Sequence, residues 1–358
     1  MTQNFIKGLE LNQGYYYDIV KPLLEKYFPE LEYSAGLIGY GSDVLGYDTP
    51  VSMDHNWGPR LNIFLNEENL VKKKKINELL RKKLPYEYKG FPTNFTDPRT
   101  DNTQRMDKIN KGEVNHLIQI FSVGEFLHQI IGIGSIDKIS LIDWLKIPEQ
   151  GLVEITSGEV FYDGLNKLNK VRDFFQFYPE DIFKIKLAGL WNSISQEEAF
   201  IGRNIDLGEE IGVRLISSRI VNYLIKICFY LEKTYPLYSK WFTKAFKDLN
   251  CYSHFKQLFK DILTTKNTES LDELLAQAYK KILIWQNKLD LTPEINLEVT
   301  DYYGRPYKVI FAEKIYNYLL ESINNKKLKK VDINHVSLIH NQDGIDLTEN
   351  REILNRIF

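Results

Sequence analysis

The chain of 358 residues is short of several features, and each scarcity excludes a class of protein. Cysteine is nearly missing: Cys228 and Cys251 are the only two, too few for a disulfide framework and without the spacing of a zinc site. A reducing cytoplasm is the expected compartment. Net charge is nearly missing too. At −2 there is no global field to draw the chain onto nucleic acid or an anionic membrane. No uncharged apolar run reaches the length of a membrane span; the closest, IVNYLIKICFYLE (220–232), is broken by Asn222 and Lys226 and reads as a buried helix. The opening residues, MTQNFIKGLELNQG, lack the basic-then-apolar pattern of a signal peptide. Internal repeats and low-complexity linkers are absent as well. Aromatic residues, by contrast, are plentiful, with 22 Tyr and 20 Phe, and favour large packed surfaces.

The length suffices for two cores, and the pattern of elements changes character partway. Residues 12–28 read as helix, with Pro22 kinking or restarting it. Residues 32–42 read as a strand running into a Gly-Ser turn, and a second strand opens at Asp54 and continues through Leu61, Ile63 and Leu65. A basic helix (66–84), a short strand (86–95), a polar loop (96–113) and a strand (114–123) follow. After residue 150 the pattern is mostly helical, in runs near 206–234, 236–249, 253–264, 269–288 and 310–323. The expected architecture is α/β plus all-α: a mixed-sheet domain over 1–150 and a helical bundle over 151–358.

The stretch GYGSDVLGYDTPVSMDHNWGPRLNIFL (39–65) carries the most chemistry. A Gly41-Ser42 turn allows backbone N–H groups close to a triphosphate, and Asp54 and Asn56, two apart on a strand, would share a face where Mg²⁺ or Mn²⁺ could sit. His55 would then point to the opposite face. That arrangement suits nucleotidyl transfer, in which the protein mainly positions phosphates, metal and acceptor. Gly41, Ser42, Asp43 and Arg60 are the candidate nucleotide contacts, and Asp54 and Asn56 the candidate metal and catalytic groups. The usual pattern is Gly-Ser followed by Asp-x-Asp. Here the second carboxylate is an amide, and the residue expected on a later strand as a third carboxylate is Gln119, with Glu87 a weaker substitute. The same stretch also reads as a tight turn followed by an exposed strand start.

The segments GSDVLGYDT, DHNWGPRL, DWLKIPEQ, VFYDG, QEEAFIGRNIDLGEEIGVRL, FYLEKTYPLYSKWFTKAF and WQNKLDLT resemble those of a bacterial family in the DNA polymerase β-like nucleotidyltransferase superfamily. Its members carry an N-terminal nucleotidyltransferase-like domain and a C-terminal helical domain of unknown function. The resemblance spans about residues 35–310. It implies a nucleotidyltransferase-like fold with a helical partner. Members commonly show Asp-His-Asp where this chain has Asp54-His55-Asn56, and Glu where it has Gln119; both departures remove negative charge from the implied metal site.

In the helical half, Glu210 and Arg214 lie four apart on a helix with Ile211, Leu215, Ile216 and Ile220. They read either as an i, i+4 ion pair or, by resemblance to antibiotic nucleotidyltransferases, as a general base (Glu210) near phosphate-binding arginines. Lys240, set among Tyr235, Tyr238 and Trp241, either contacts phosphate or lies over aromatic packing. The run Lys72 to Lys75 reads as a solvated helix face because Glu67, Glu68 and Glu78 lie among the lysines. The expected function is Mg-dependent transfer of a nucleoside monophosphate from an NTP to a small-molecule acceptor, in a cleft between the domains. The alternative is a catalytically weakened nucleotide-binding or regulatory pseudoenzyme. Neither a membrane nor nucleic acid is an expected partner.

Overall fold

The computed structural model describes residues 4–267, 269–341 and 351–358. It begins with α1 (Gly8–Tyr15), a π-helical turn (Tyr16–Val20) and α2 (Lys21–Tyr27), then β1 (Tyr33–Leu37), a 3-10 turn (Pro50–Asp54) and β2 (Arg60–Leu65). A second 3-10 turn (Glu67–Lys72) leads to α3 (Lys73–Lys83), β3 (Glu87–Tyr88), β4 (Phe91–Pro92), β5 (Leu117–Ser122) and α4 (Val123–Ile131). Next come α5 (Leu141–Lys146), α6 (Glu149–Thr156), β6 (Glu159–Asp163) and α7 (Leu168–Phe174). Helices then dominate: α8 (Glu180–Glu197), α9 (Phe200–Asp206), α10 (Glu210–Leu231), α11 (Ser239–Asp248), α12 (Tyr252–Thr264) and α13 (Glu269–Asn287). A hairpin of β7 (Thr300–Tyr302) and β8 (Arg305–Val309) precedes α14 (Ala312–Glu321), α15 (Ile333–His340) and a terminal helix, Arg351–Ile357.

The chain forms two compact units, and its path between them is not simple. The first takes residues up to 139 together with 151–176; the second takes 140–150 together with 177–358. This differs from a single boundary at 150, because β6 returns to complete the first unit's sheet. That sheet is mixed, with strand order β5-β2-β1-β6. The β1 strand pairs antiparallel with β2 and with β6, while β2 and β5 run parallel.

Alternation along β2 sends Leu61, Ile63 and Leu65 into a core shared with Leu11, Tyr15 and Tyr16 and with Ile76 and Leu80 of α3. Lys73, Lys74 and Lys75 of α3 are exposed, so the basic run is a solvated face. Pro22 sits in the first turn of α2, directly after the π-helical turn, so the helical path continues past the proline with a local change of hydrogen-bond register.

The second unit is helical, apart from its one hairpin among the described residues. Its central helix, α8, is buried from Ile182 through Ile194, lysines included. The polar groups of α8 are therefore paired inside the unit. Trp191 Nε1 donates to Gln286 Oε1 (2.7 Å), and Asn192 Nδ2 donates to Ser337 Oγ (2.8 Å). Gly189 lets α15 cross closely, because a Cβ there would lie 2.7 Å from Val336 Cγ1 and 3.2 Å from His340 Cδ2. Among the described residues no helix is long and apolar enough to cross a membrane.

One side chain closes the end of α6 within the first unit. The Arg172 guanidinium donates to the carbonyls of Ile155 (3.0 Å), Thr156 (2.9 Å), Ser157 (2.7 Å) and Gly158 (3.1 Å). Two of these are orphan acceptors of the last residues of α6 and two belong to the turn that follows, and a planar fork with five donors can serve all four at once. Arg172→Lys keeps the charge but loses the fork. We expect it to lower the unfolding free energy of the first unit by about 2 kcal/mol, measured by urea titration; an unchanged midpoint would mean that water satisfies these carbonyls equally well.

Candidate functional site

The Gly-Ser turn after β1 is built around a buried ion pair. Asp43 Oδ1 lies 2.7 Å from Arg60 Nη2, and Asp43 Oδ2 accepts from Arg60 Nε at 3.0 Å. Both side chains are buried. Arg60 Nη2 also donates to Tyr40 O (2.8 Å), and the Tyr40 ring lies 5.2 Å from the guanidinium carbon. Burial works against the guanidinium charge, but Asp43 outweighs it and holds the Arg60 pKa above its ordinary value. Gly41 is required here: its φ is +128°, and a Cβ would fall 2.3 Å from Asp43 Oδ1 and 2.5 Å from Arg60 Nη2.

The rest of the motif is tied down in the same way. Buried Asp48 accepts from Gly8 N (2.7 Å) and from Trp57 Nε1 (2.9 Å), with Lys7 Nζ at 3.3 Å. Arg60 N donates to Asn12 Oδ1 (2.6 Å), so α1 is pinned to the start of β2. Asp43, Asp48, Trp57 and Arg60 are spaced as they are because they are partners of one another or of α1. Asp48 and Trp57 stood in the recognised string, but sequence alone assigned them no role.

Asp54 and Asn56 do not lie on a strand. Asp54 ends the 3-10 turn, and β2 begins only at Arg60. The Asp54 carboxylate is exposed, with Oδ2 2.9 Å from His55 Nδ1. His55 thus contacts Asp54 and does not point to an opposite face. Slight desolvation pushes the Asp54 carboxyl up, but the His55 hydrogen bond and charge outweigh it and hold the pKa below the ordinary carboxylate value. Asn56 adopts φ 47°, and its Oδ1 accepts from Gln104 N (2.8 Å) while its own N donates to Gln104 O (2.7 Å). Its amide holds the 104 loop.

The positions two apart on β2 that share a face with Gln119 are Arg60 and Asn62. Asn62 is the register partner of Gln119, and their amides approach to 3.4 Å. Asn62 Oδ1 also accepts from Ile38 N (3.2 Å). Glu87 lies exposed on β3, outside the four-stranded sheet. A divalent cation needs several oxygen ligands with negative charge. This face offers two amides, a cation, and a carboxylate already held by that cation. Among the described residues no three His, Cys, Asp or Glu side chains converge as a metal-holding group. The residues of this face do not fit Mg²⁺.

The candidates in the helical unit are placed differently from the sequence expectation. Glu210 opens α10 fully at the surface, beside Ile211 (76% exposed) and with Leu215 (55%) one turn on. The surroundings of Glu210 are aqueous rather than apolar. Arg214 Nη2 donates to Thr265 O, so no ion pair with Glu210 organises this face. Arg219 pairs with Glu197, at 2.7 and 3.0 Å. Lys240 is exposed, with Nζ 5.0 Å from the centre of the Trp241 ring, the aromatic-packing alternative. A different polar group in this unit, Glu149 with Lys186, escaped sequence analysis. The available signal was the pair of polar interruptions, Asn222 and Lys226, in an otherwise apolar helix.

The family described as "Domain of unknown function (DUF4037)" matches residues 144–242. No curated protein matches the chain. Among solved structures, the chain is similar to a nucleotidyltransferase-like protein from Exiguobacterium sibiricum 255-15, at 8% identity and a TM-score of 0.35 over 76% of each chain.

The Asp43–Arg60 pair and Asp54 should separate sharply in a stability measurement. Asp43→Ala strands a buried guanidinium and should cost about 3–5 kcal/mol. Asp54→Ala removes an exposed carboxylate and should shift stability by no more than about 0.5 kcal/mol. Equal losses in urea titrations of the two variants would refute this assignment of structural and free groups.

Proposed function

We propose that this protein is a nucleotide-binding regulatory relative of nucleotidyltransferases that does not transfer a nucleoside monophosphate at its Gly-Ser turn. The observation that carries the reading is the buried Asp43–Arg60 pair, which occupies the face of β2 beside Asn62 and Gln119. A group-transfer site needs its charged side chains available to the substrate at the moment of reaction. Here the buried charges of that face are spent on each other. The motif string and its turn support nucleotide affinity, while the amides at Asn56, Asn62 and Gln119 supply no negative charge for a metal.

A second reading keeps the full activity: Mg-dependent transfer from an NTP to a small-molecule acceptor. One observation favours it. Asp54 is exposed, close to the turn in sequence, and held in its charged form by His55. Calorimetric titration with ATP, GTP, CTP and UTP, with and without Mg²⁺, distinguishes the two. The regulatory reading expects at least one nucleotide to bind with an affinity that changes less than about ten-fold on removing Mg²⁺ and persists in Asp54→Ala. It also expects no pyrophosphate release in the native chain or in Asn56→Asp, since the residue 56 side chain is committed to Gln104. Mg-dependent pyrophosphate release that Asp54→Ala abolishes would establish the transferase instead. No nucleotide binding at all would remove both readings.

A further inference from the structure

The helical unit contains a polar cavity of about 290 Å³, separate from the Gly-Ser turn. Its floor includes Glu149, which opens α6, and Lys186 of α8; its wall includes Asn222 and Lys226, one turn apart on α10, and His340 of α15. All but three of its lining residues lie within 144–242, the segment the family match covers; the exceptions are Ile339, His340 and Leu354.

These groups are arranged with care about charge. Glu149 Oε1 accepts from Tyr178 Oη (2.9 Å) and from Tyr230 Oη, and Lys186 Nζ lies 3.6 Å away. Burial opposes the Glu149 charge, yet Lys186 leads the groups that hold its carboxyl below the ordinary value. His340 is pushed down to about 3, first by burial and then by Lys186, so its ring is neutral at ordinary pH. Its Nε2 lies 3.1 Å from the Lys186 carbonyl, an acceptor, so Nε2 carries the proton and Nδ1 keeps the lone pair. Lys226 Nζ donates to His340 O (2.7 Å).

Not every buried polar atom of this unit is satisfied by the fold. Asn222 Oδ1 is buried and has no hydrogen-bond partner among the described residues. A buried acceptor left alone is costly, and natural interiors tolerate few of them. Its position in the cavity wall makes it an acceptor waiting for a donor from outside the fold. Beside it stand the ammonium groups of Lys186 and Lys226, two cations against the one carboxylate of Glu149, a surplus that attracts negative charge.

We propose that this cavity binds a small organic oxyanion, phosphorylated or carboxylated, whose charge meets the lysines and whose hydroxyl donates to Asn222 Oδ1. The volume is at the small end of ligand pockets, which suits a sugar phosphate or a hydroxy acid better than a nucleoside triphosphate.

The probes are ribose 5-phosphate, gluconate and uncharged ribose, titrated into the full chain by calorimetry and followed by thermal unfolding. The expected result is saturable binding of at least one anion, with none for ribose. The two anions distinguish a phosphate from a carboxylate headgroup. Asn222→Leu should weaken binding at least ten-fold while leaving the ligand-free Tm unchanged or raised, since it removes an unsatisfied acceptor. Lys226→Met should give a comparable loss. Failure of the native chain to bind either anion overturns the proposal, as does binding that Asn222→Leu leaves unchanged. A lower ligand-free Tm in Asn222→Leu would assign Asn222 to the fold and overturn it equally.

Discussion

The organisation of the first unit depends on the cost of burying charge. Asp43 and Arg60 are both removed from water, and each is tolerable there only because the other is present in good geometry. That requirement propagates outward. It fixes Gly41, which has to leave room for both partners, and it fixes the path of the chain from Tyr40, whose carbonyl takes a further Nη2 donor. It also fixes the start of β2, since the backbone of Arg60 is held by Asn12 of α1. A buried pair of this kind contributes register and a unique arrangement more than net stability. The turn is therefore held by its own side chains without help from a ligand.

The helical unit solves a different problem, a helix with no outside. Because α8 is buried on nearly every side, its polar residues are answered by its neighbours, among them Gln286 of α13, Ser337 of α15, the Ser322 carbonyl and Glu149. Glu198, just beyond its end, accepts from Ile310 N and Ala312 N at 2.9 Å each and so caps the start of α14. The interior is thus held by specific hydrogen bonds as well as by apolar packing.

Much of this was legible in the sequence. The alternation of Leu61, Ile63 and Leu65 marked β2, and α10 to α13 matched their apolar periods within a few residues. The start of β2 was misread because Asp54 and Asn56 suggested a catalytic strand. The chain itself argued otherwise: Pro59 has no N–H for a ladder, and Gly58 sits at φ +135°, so pairing can begin only at Arg60. The helix α8 could not be delimited, because a helix buried all round has no polar face to mark its period. The strand β6 was invisible as part of the sheet because its partner, β1, lies more than a hundred residues earlier. The Asp43–Arg60 pair was beyond reach for the same reason that Glu149 and Lys186 were: which charges meet is decided by the tertiary path.

The late return of β6 has a consequence for how the protein is made. On the ribosome, β1 emerges early but lacks its second neighbour until residue 163 has been synthesised, and residues 140–150, which belong to the other unit, come out in between. Over that interval β1 presents an open edge of unpaired N–H and C=O groups, the kind of surface to which other chains adhere. A fragment cut at residue 150 would keep that edge permanently open. The useful point of division for expressing the first unit is after residue 176, with the α5 segment looped out or replaced by a short linker.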